Sequence, residues 1–175
     1  MRHPSLRTFL VACLATLALP LAAHAGDDIQ VNLTAHRITT GAAGKEILAS
    51  ADHAKPGDVI EYRAVYANQG HGGVRQMVAT LPIPAGMQYV PGTAVPGSAL
   101  ASLDGQHFDV IPLKRRVRLA DGSEALREVP VDEYRYLRWG LGDIAAGQSE
   151  TVRARVRVNP GAGPVSSVTT GGTTH

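Results

Sequence analysis

The chain has 175 residues, with 19 Gly, 11 Pro, one Cys, 5% aromatic residues and a formal charge of +2. That length holds one domain with at most an appendage, and 44% apolar residues suffice for a core, which excludes wholesale disorder. The Gly and Pro content argues against a helical bundle and favours short elements joined by turns.

Met1 to Ala25 has the three regions of a secretory signal. Arg2 and Arg7 form the positive start, Thr8 to Leu19 the apolar stretch, and Pro20 breaks it. Ala23 and Ala25 are the small residues at −3 and −1 of a cleavage before Gly26. The apolar run is short for a bilayer span and polar sequence follows at once, so a cleaved signal is expected rather than a retained anchor. Leu10-Val11-Ala12-Cys13 is similar to a lipoprotein box, but few apolar residues separate Arg7 from Cys13, and the run continues to Leu19. Ordinary cleavage after Ala25 is therefore the preferred reading.

Cleavage changes the arithmetic. It removes Arg2, Arg7 and no acidic residue, leaving fifteen basic and fifteen acidic residues and no net charge. The basic balance thus gives no ground for a nucleic-acid partner. It also removes Cys13, so the remainder holds no disulfide, Cys-ligated metal or thiol nucleophile. The expected organisation is a signal over 1–25, a β domain over 26–160 and a disordered polar tail over 161–175, in a periplasmic or secreted product without an integral membrane segment.

Within the domain, strand patterns dominate. Ile29 to Ala35 alternates apolar and polar residues. After the turn Lys55-Pro56-Gly57-Asp58, Ile60, Tyr62, Ala64 and Tyr66 share a face opposite Glu61 and Arg63. Asn68 to Gly73 is a flexible turn and Val74 to Leu81 a third strand. With prolines at 82 and 84 and a glycine at 86, the segment Pro82 to Gly86 is expected as a loop or edge. Met87 to Val90 is short and extended. Asp104-Gly105 and Asp121-Gly122 are hairpin dipeptides around Phe108 to Leu119. Tyr134 to Leu141 places Leu137, Trp139 and Leu141 inward. In the last strand Val152, Ala154, Val156 and Val158 point one way, and Arg153, Arg155 and Arg157 the other. No stretch sustains a helical period. The pattern predicts an all-β fold, an immunoglobulin-like antiparallel β-sandwich of about seven to nine strands, with a closed barrel as the alternative.

Three segments in order resemble the conserved repeat domain of bacterial surface and envelope proteins, a family of unknown function. They are Lys55 to Tyr62 with Asn68-Gln69-Gly70, then Leu81 to Ala94, then Leu137-Arg138-Trp139 with Leu141 to Ser149. The resemblance spans about Ile29 to Asn159 and implies an immunoglobulin-like sandwich of the cell envelope, with no general catalytic site. Relatives usually occur in tandem arrays, whereas one copy is present here. Many relatives carry an acidic residue before the proline-containing loop; here Thr80 and Leu81 stand there, so no carboxylate role transfers.

No enzyme signature is evident. Gly-x-Ser-x-Gly is absent, Ser98, Ser102 and Ser123 sit in turn-like contexts, and Asp27-Asp28 and Asp132-Glu133 read as solvated loop pairs. Gly70 to Gly73 lacks the Lys and helix of a phosphate loop. His36, His53, His71, His107 and His175, with Met77 and Met87, suggest copper handling. No two histidines have the i, i+2 or i, i+4 spacing of paired ligands, so scattered surface histidines are the preferred reading. A self-formed isopeptide bond between Lys45, Lys55 or Lys114 and Asn32, Asn68 or Asn159 is not required by any pattern.

The expectation is a non-enzymatic envelope module without a cofactor, acting in protein–protein interaction or as a structural part. Binding is expected at loops grouped at one end, Gln69 to Gly73 (with His71) and Leu81 to Gly86 (with Pro82, Ile83 and Pro84), or at a sheet edge beside the last strand. The alternative is an anionic glycan or lipid headgroup on two arginine rows, Arg153, Arg155 and Arg157 with Arg115, Arg116 and Arg118. Those rows are also explained as a solvated face paired with Glu124, Glu128, Glu133 or Glu150.

Overall fold

In the computed structural model, residues 28–161 are described. The expected signal, its junction between Ala25 and Gly26, Cys13, and the tail beyond Gly161 lie outside the described residues.

Alternating apolar residues bounded by Gly and Pro turns form antiparallel strands throughout. They are β1 (Ile29–Thr40), β2 (Glu46–Ser50), β3 (Val59–Asn68), β4 (Val74–Pro82), β5 (Met87–Tyr89) and β6 (Leu100–Ser102). Then come β7 (Asp109–Val110), β8 (Lys114–Arg118), β9 (Glu124–Glu128), β10 (Tyr136–Ile144) and β11 (Ser149–Val158). One sheet has the order β2-β1-β3-β11-β5, a second β4-β10-β6-β7, and β8-β9 is a separate ribbon. The eleven strands among the described residues exceed the seven to nine expected. β2 breaks the period-two pattern, and β6 and β7 are too short to show one.

Both main sheets turn their apolar faces to one core. β3 contributes Ile60, Ala64 and Tyr66, and β11 contributes Val152, Ala154, Val156 and Val158. Facing them are Ala79 and Leu81 of β4 and Leu137, Trp139 and Ile144 of β10. Each fully buried Val, Leu or Ile contributes about 1.5–3 kcal/mol. The one tryptophan is satisfied as well as buried: the Trp139 indole N–H donates to the Pro96 carbonyl at 2.8 Å. Tyr134 ties the ribbon to this core, accepting the Leu113 N–H at 2.8 Å and stacking on Tyr89.

Two irregularities shape the edges. Register shifts at Gly140, Gly142 and Ile144 rotate Leu141 out of the inner row, leaving it half-buried. β1 lies outside the cover of the smaller sheet, whose edge strand β4 sits over β3, where Tyr66 meets the Thr80 backbone. Val31 and Leu33, cross-strand from Tyr66 and Ala64, are consequently 51% and 41% exposed.

Candidate functional site

The pleat that sends Ile60 and Val156 into the core sends Glu61, Arg63, Arg153, Arg155 and Arg157 to the outer face of the larger sheet. Arg153 lies opposite Arg63, and Arg155 opposite Glu61, in the pairing of β11 with β3. His36 of β1 flanks Glu61 on its other side. Glu61 is nevertheless only 3% exposed, because arginine side chains lie over it.

A buried carboxylate is tolerated only when it is paired and hydrogen-bonded. Arg63 donates to Glu61 Oε1 at 3.1 Å and Arg155 Nε to Oε2 at 3.2 Å, while Arg153 approaches Oε1 at 3.9 Å. Arg155 then holds Glu46 with both terminal nitrogens, at 2.8 and 2.7 Å. That bidentate hydrogen bond keeps the Glu46 carboxyl below its ordinary range. Arg157 donates to the Gly57 carbonyl at 3.1 Å.

The cluster therefore sets four guanidiniums against the two carboxylates of Glu46 and Glu61. Arg155 is spent on both. Arg63 and Arg153 face each other across the strands, a like-charge juxtaposition eased by the carboxylate oxygen near both. Each guanidinium has five donors, so both retain N–H groups for a ligand on the solvent side. Such outward N–H donors have the chemistry that suits an oxyanion.

Sequence reasoning found the β11 row and missed its centre. Glu61 and Arg63 read as ordinary polar positions of an alternating strand, and only the cross-strand register sets Glu61 opposite Arg155 and Arg63 opposite Arg153. The second row does not join this face. Arg115, Arg116 and Arg118 lie on the β8–β9 ribbon, where Arg115 makes a double hydrogen bond to Glu133 at 2.6 and 2.9 Å. Arg116 approaches Glu124 at 3.5 Å, and Arg118 pairs with Glu124 in the ladder.

The expected binding loops are not brought together. Gln69 to Gly73 precedes β4, whereas of the expected loop Leu81 to Gly86 the first two residues, Leu81 and Pro82, end β4 and only Ile83 to Gly86 follow it, so a strand of nine residues, about 30 Å, separates the two. The first loop is braced by buried Asn68, whose amide donates to the Gly72 and Ile144 carbonyls at 2.8 and 2.9 Å. Gln69 donates its N–H to Asp28 and its side chain meets Gln30, while His71 is exposed at the tip. In the second loop Ile83 is buried and donates to the Arg135 carbonyl, leaving Pro82 exposed and Pro84 half-buried.

A separate cleft of 280 Å³ lies between the segment Leu103 to Asp109 and the start of the ribbon. Asp104 orders it by accepting the Gln106 and His107 backbone N–H groups at 2.8 and 2.9 Å. Its other oxygen meets His107 Nδ1 at 2.7 Å. This contact raises the His107 pKa above its ordinary value and helps hold the Asp104 carboxyl well below its ordinary range. Ser102 donates to Asp104 rather than approaching the imidazole, so the order is hydroxyl, carboxylate, imidazole. That order does not activate the hydroxyl.

His36 lies on β1, His53 in the turn after β2, His71 before β4 and His107 in the cleft. Among the described residues no three His, Cys, Asp or Glu side chains are grouped to hold a metal ion. No helix among them is long and apolar enough to cross a membrane. No protein family, curated protein or solved structure matches the chain.

Proposed function

We propose that the chain is a non-catalytic, exported module of the cell envelope that binds an anionic ligand on the outer face of its larger sheet. In this reading the domain is an immunoglobulin-like sandwich, similar to the conserved repeat domain of bacterial surface proteins, and Met1 to Ala25 directs its export. Two facing sheets around one core support the architecture, as do the three sequence segments that carry the resemblance.

The observation that carries the binding reading is the pair Arg63 and Arg153. They stand opposite each other over one buried carboxylate, with side chains 40% and 43% exposed. A carboxylate, sulfate or phosphate on an acidic glycan or lipid headgroup matches the donors they retain. Binding of the purified domain to an immobilised acidic polysaccharide tests this. Arg153→Ala is expected to weaken binding about tenfold, the loss of one charge-assisted hydrogen bond, and rising salt should weaken the wild type steeply. Binding unaffected by both would remove the ligand class.

A second reading, contact with an envelope protein, rests on a different surface. Val31 and Leu33 form an exposed apolar strip on β1 where the smaller sheet ends. Leu33→Asp would abolish such contact and leave polysaccharide binding intact. The copper alternative has no residue cluster in its support among the described residues.

A further inference from the structure

β2 is a lightly guarded edge strand, its only charges Glu46 and the preceding Lys45 at one end. It ends the order of the larger sheet and pairs only with β1. Protein edges are normally guarded by Lys, Pro, a bulge or a cover. β2 reads Glu46-Ile47-Leu48-Ala49-Ser50, its register with β1 is unbroken, and Ile47 and Leu48 are 50% and 48% exposed.

The alternation of the ladder tells which backbone groups are open. Gly41 N–H donates to the Lys45 carbonyl at 2.8 Å, which makes Gly41 and Lys45 a hydrogen-bonded pair. Such pairs alternate with non-bonded ones along an antiparallel ladder. Thr39 with Ile47 and Arg37 with Ala49 therefore bond inward, in the observed register. Glu46, Leu48 and Ser50 turn their N–H and C=O groups to the open edge.

We propose that this edge pairs with the same strand of a second copy of the chain, antiparallel about a two-fold axis at Leu48. Sheet continuity requires inward residues to meet inward residues, and the register centred on Leu48 satisfies every open N–H and C=O. Leu48 then faces its own copy, Ile47 faces Ala49, and Glu46 faces Ser50. Ile38, the β1 neighbour of Leu48, adds apolar surface beside the central pair. A slide of two residues leaves edge groups unpaired, and a slide of four can set Glu46 against Glu46. Sequence, pleat and charge thus select the symmetric register. A strand this short gives a contact at the weak, reversible end of specific interfaces.

Sedimentation over a wide concentration range tests the pairing. The wild type should pass reversibly from monomer to dimer, and Leu48→Lys should remain monomeric with an unchanged melting temperature. In a Cys13→Ala background, Leu48→Cys should oxidise readily to a covalent dimer. Hydrogen-bonded antiparallel pairs sit about 5.5 Å apart at Cα, within disulfide range. Ile47→Cys, which faces Ala49, should cross-link far more slowly. A wild type monomeric at every concentration would overturn the proposal and leave the edge to a strand of another protein. A dimer that survives Leu48→Lys, or equal cross-linking of the two cysteine variants, would place the contact elsewhere and also overturn it.

Discussion

At the scale of single residues, Glu61 departs most from what alternation implies. It occupies an outward position and is buried, because Arg63, Arg153 and Arg155 converge over it. Removing one partner of a buried ion pair strands the rest. Glu61→Gln should therefore lower unfolding stability by about 2 kcal/mol, less than a fully buried pair would cost because the arginines reach water. Urea denaturation measures this, and an unchanged midpoint would mean that the arginines hold their positions without the carboxylate. His107 makes a second residue-scale case. Its folded pKa is raised by Asp104, so the contact favours the folded state below the ordinary histidine range and is lost as pH rises through the raised value. Asp104, Asp121 and Glu46 are lowered, so their contribution is present above the ordinary carboxylate range and is lost as pH falls. NMR titration should show His107 protonating at a higher pH than an ordinary histidine, and Asp104→Asn should return it toward the ordinary value.

At the scale of elements, the strands that pack on both sheets were the legible ones. β11 alternates four apolar residues with three arginines, and the structure buries the first set. β3 and β10 follow their patterns up to Glu61 and the Gly140 irregularity. β2 was illegible because Ile47, Leu48 and Ala49 run together, as an edge with little cover on either face permits. The loops were legible as turns but not as a site, since their placement depends on β4 joining opposite ends of the fold. Turn glycines make element-scale predictions. Gly105 has φ +79°, and a Cβ there would lie 2.9 Å from the Tyr136 ring. Gly105→Ala should cost about 1–3 kcal/mol through backbone strain and displacement of that ring. Trp139→Ala, which empties the space between the sheets, should cost about 3–5 kcal/mol. Thermal melts of the two variants should rank in that order of loss.

At the scale of the whole molecule, overall charge and local charge tell different stories. The chain after Ala25 is neutral, yet one sheet face gathers Arg63, Arg153, Arg155 and Arg157 around two carboxylates. The ribbon arginines, drawn toward Glu133 and Glu124, stand apart from that face. The larger sheet thus presents one cationic face, the surface on which the proposed binding rests. Backbone and arginine-side-chain NMR during titration with a soluble acidic polysaccharide tests this most directly. The account predicts that the largest shifts fall on β3 and β11, at Arg63 and Arg153, and fade as salt is raised. Shifts confined to Val31 and Leu33 or to the Asp104–His107 cleft, insensitive to salt, would contradict it.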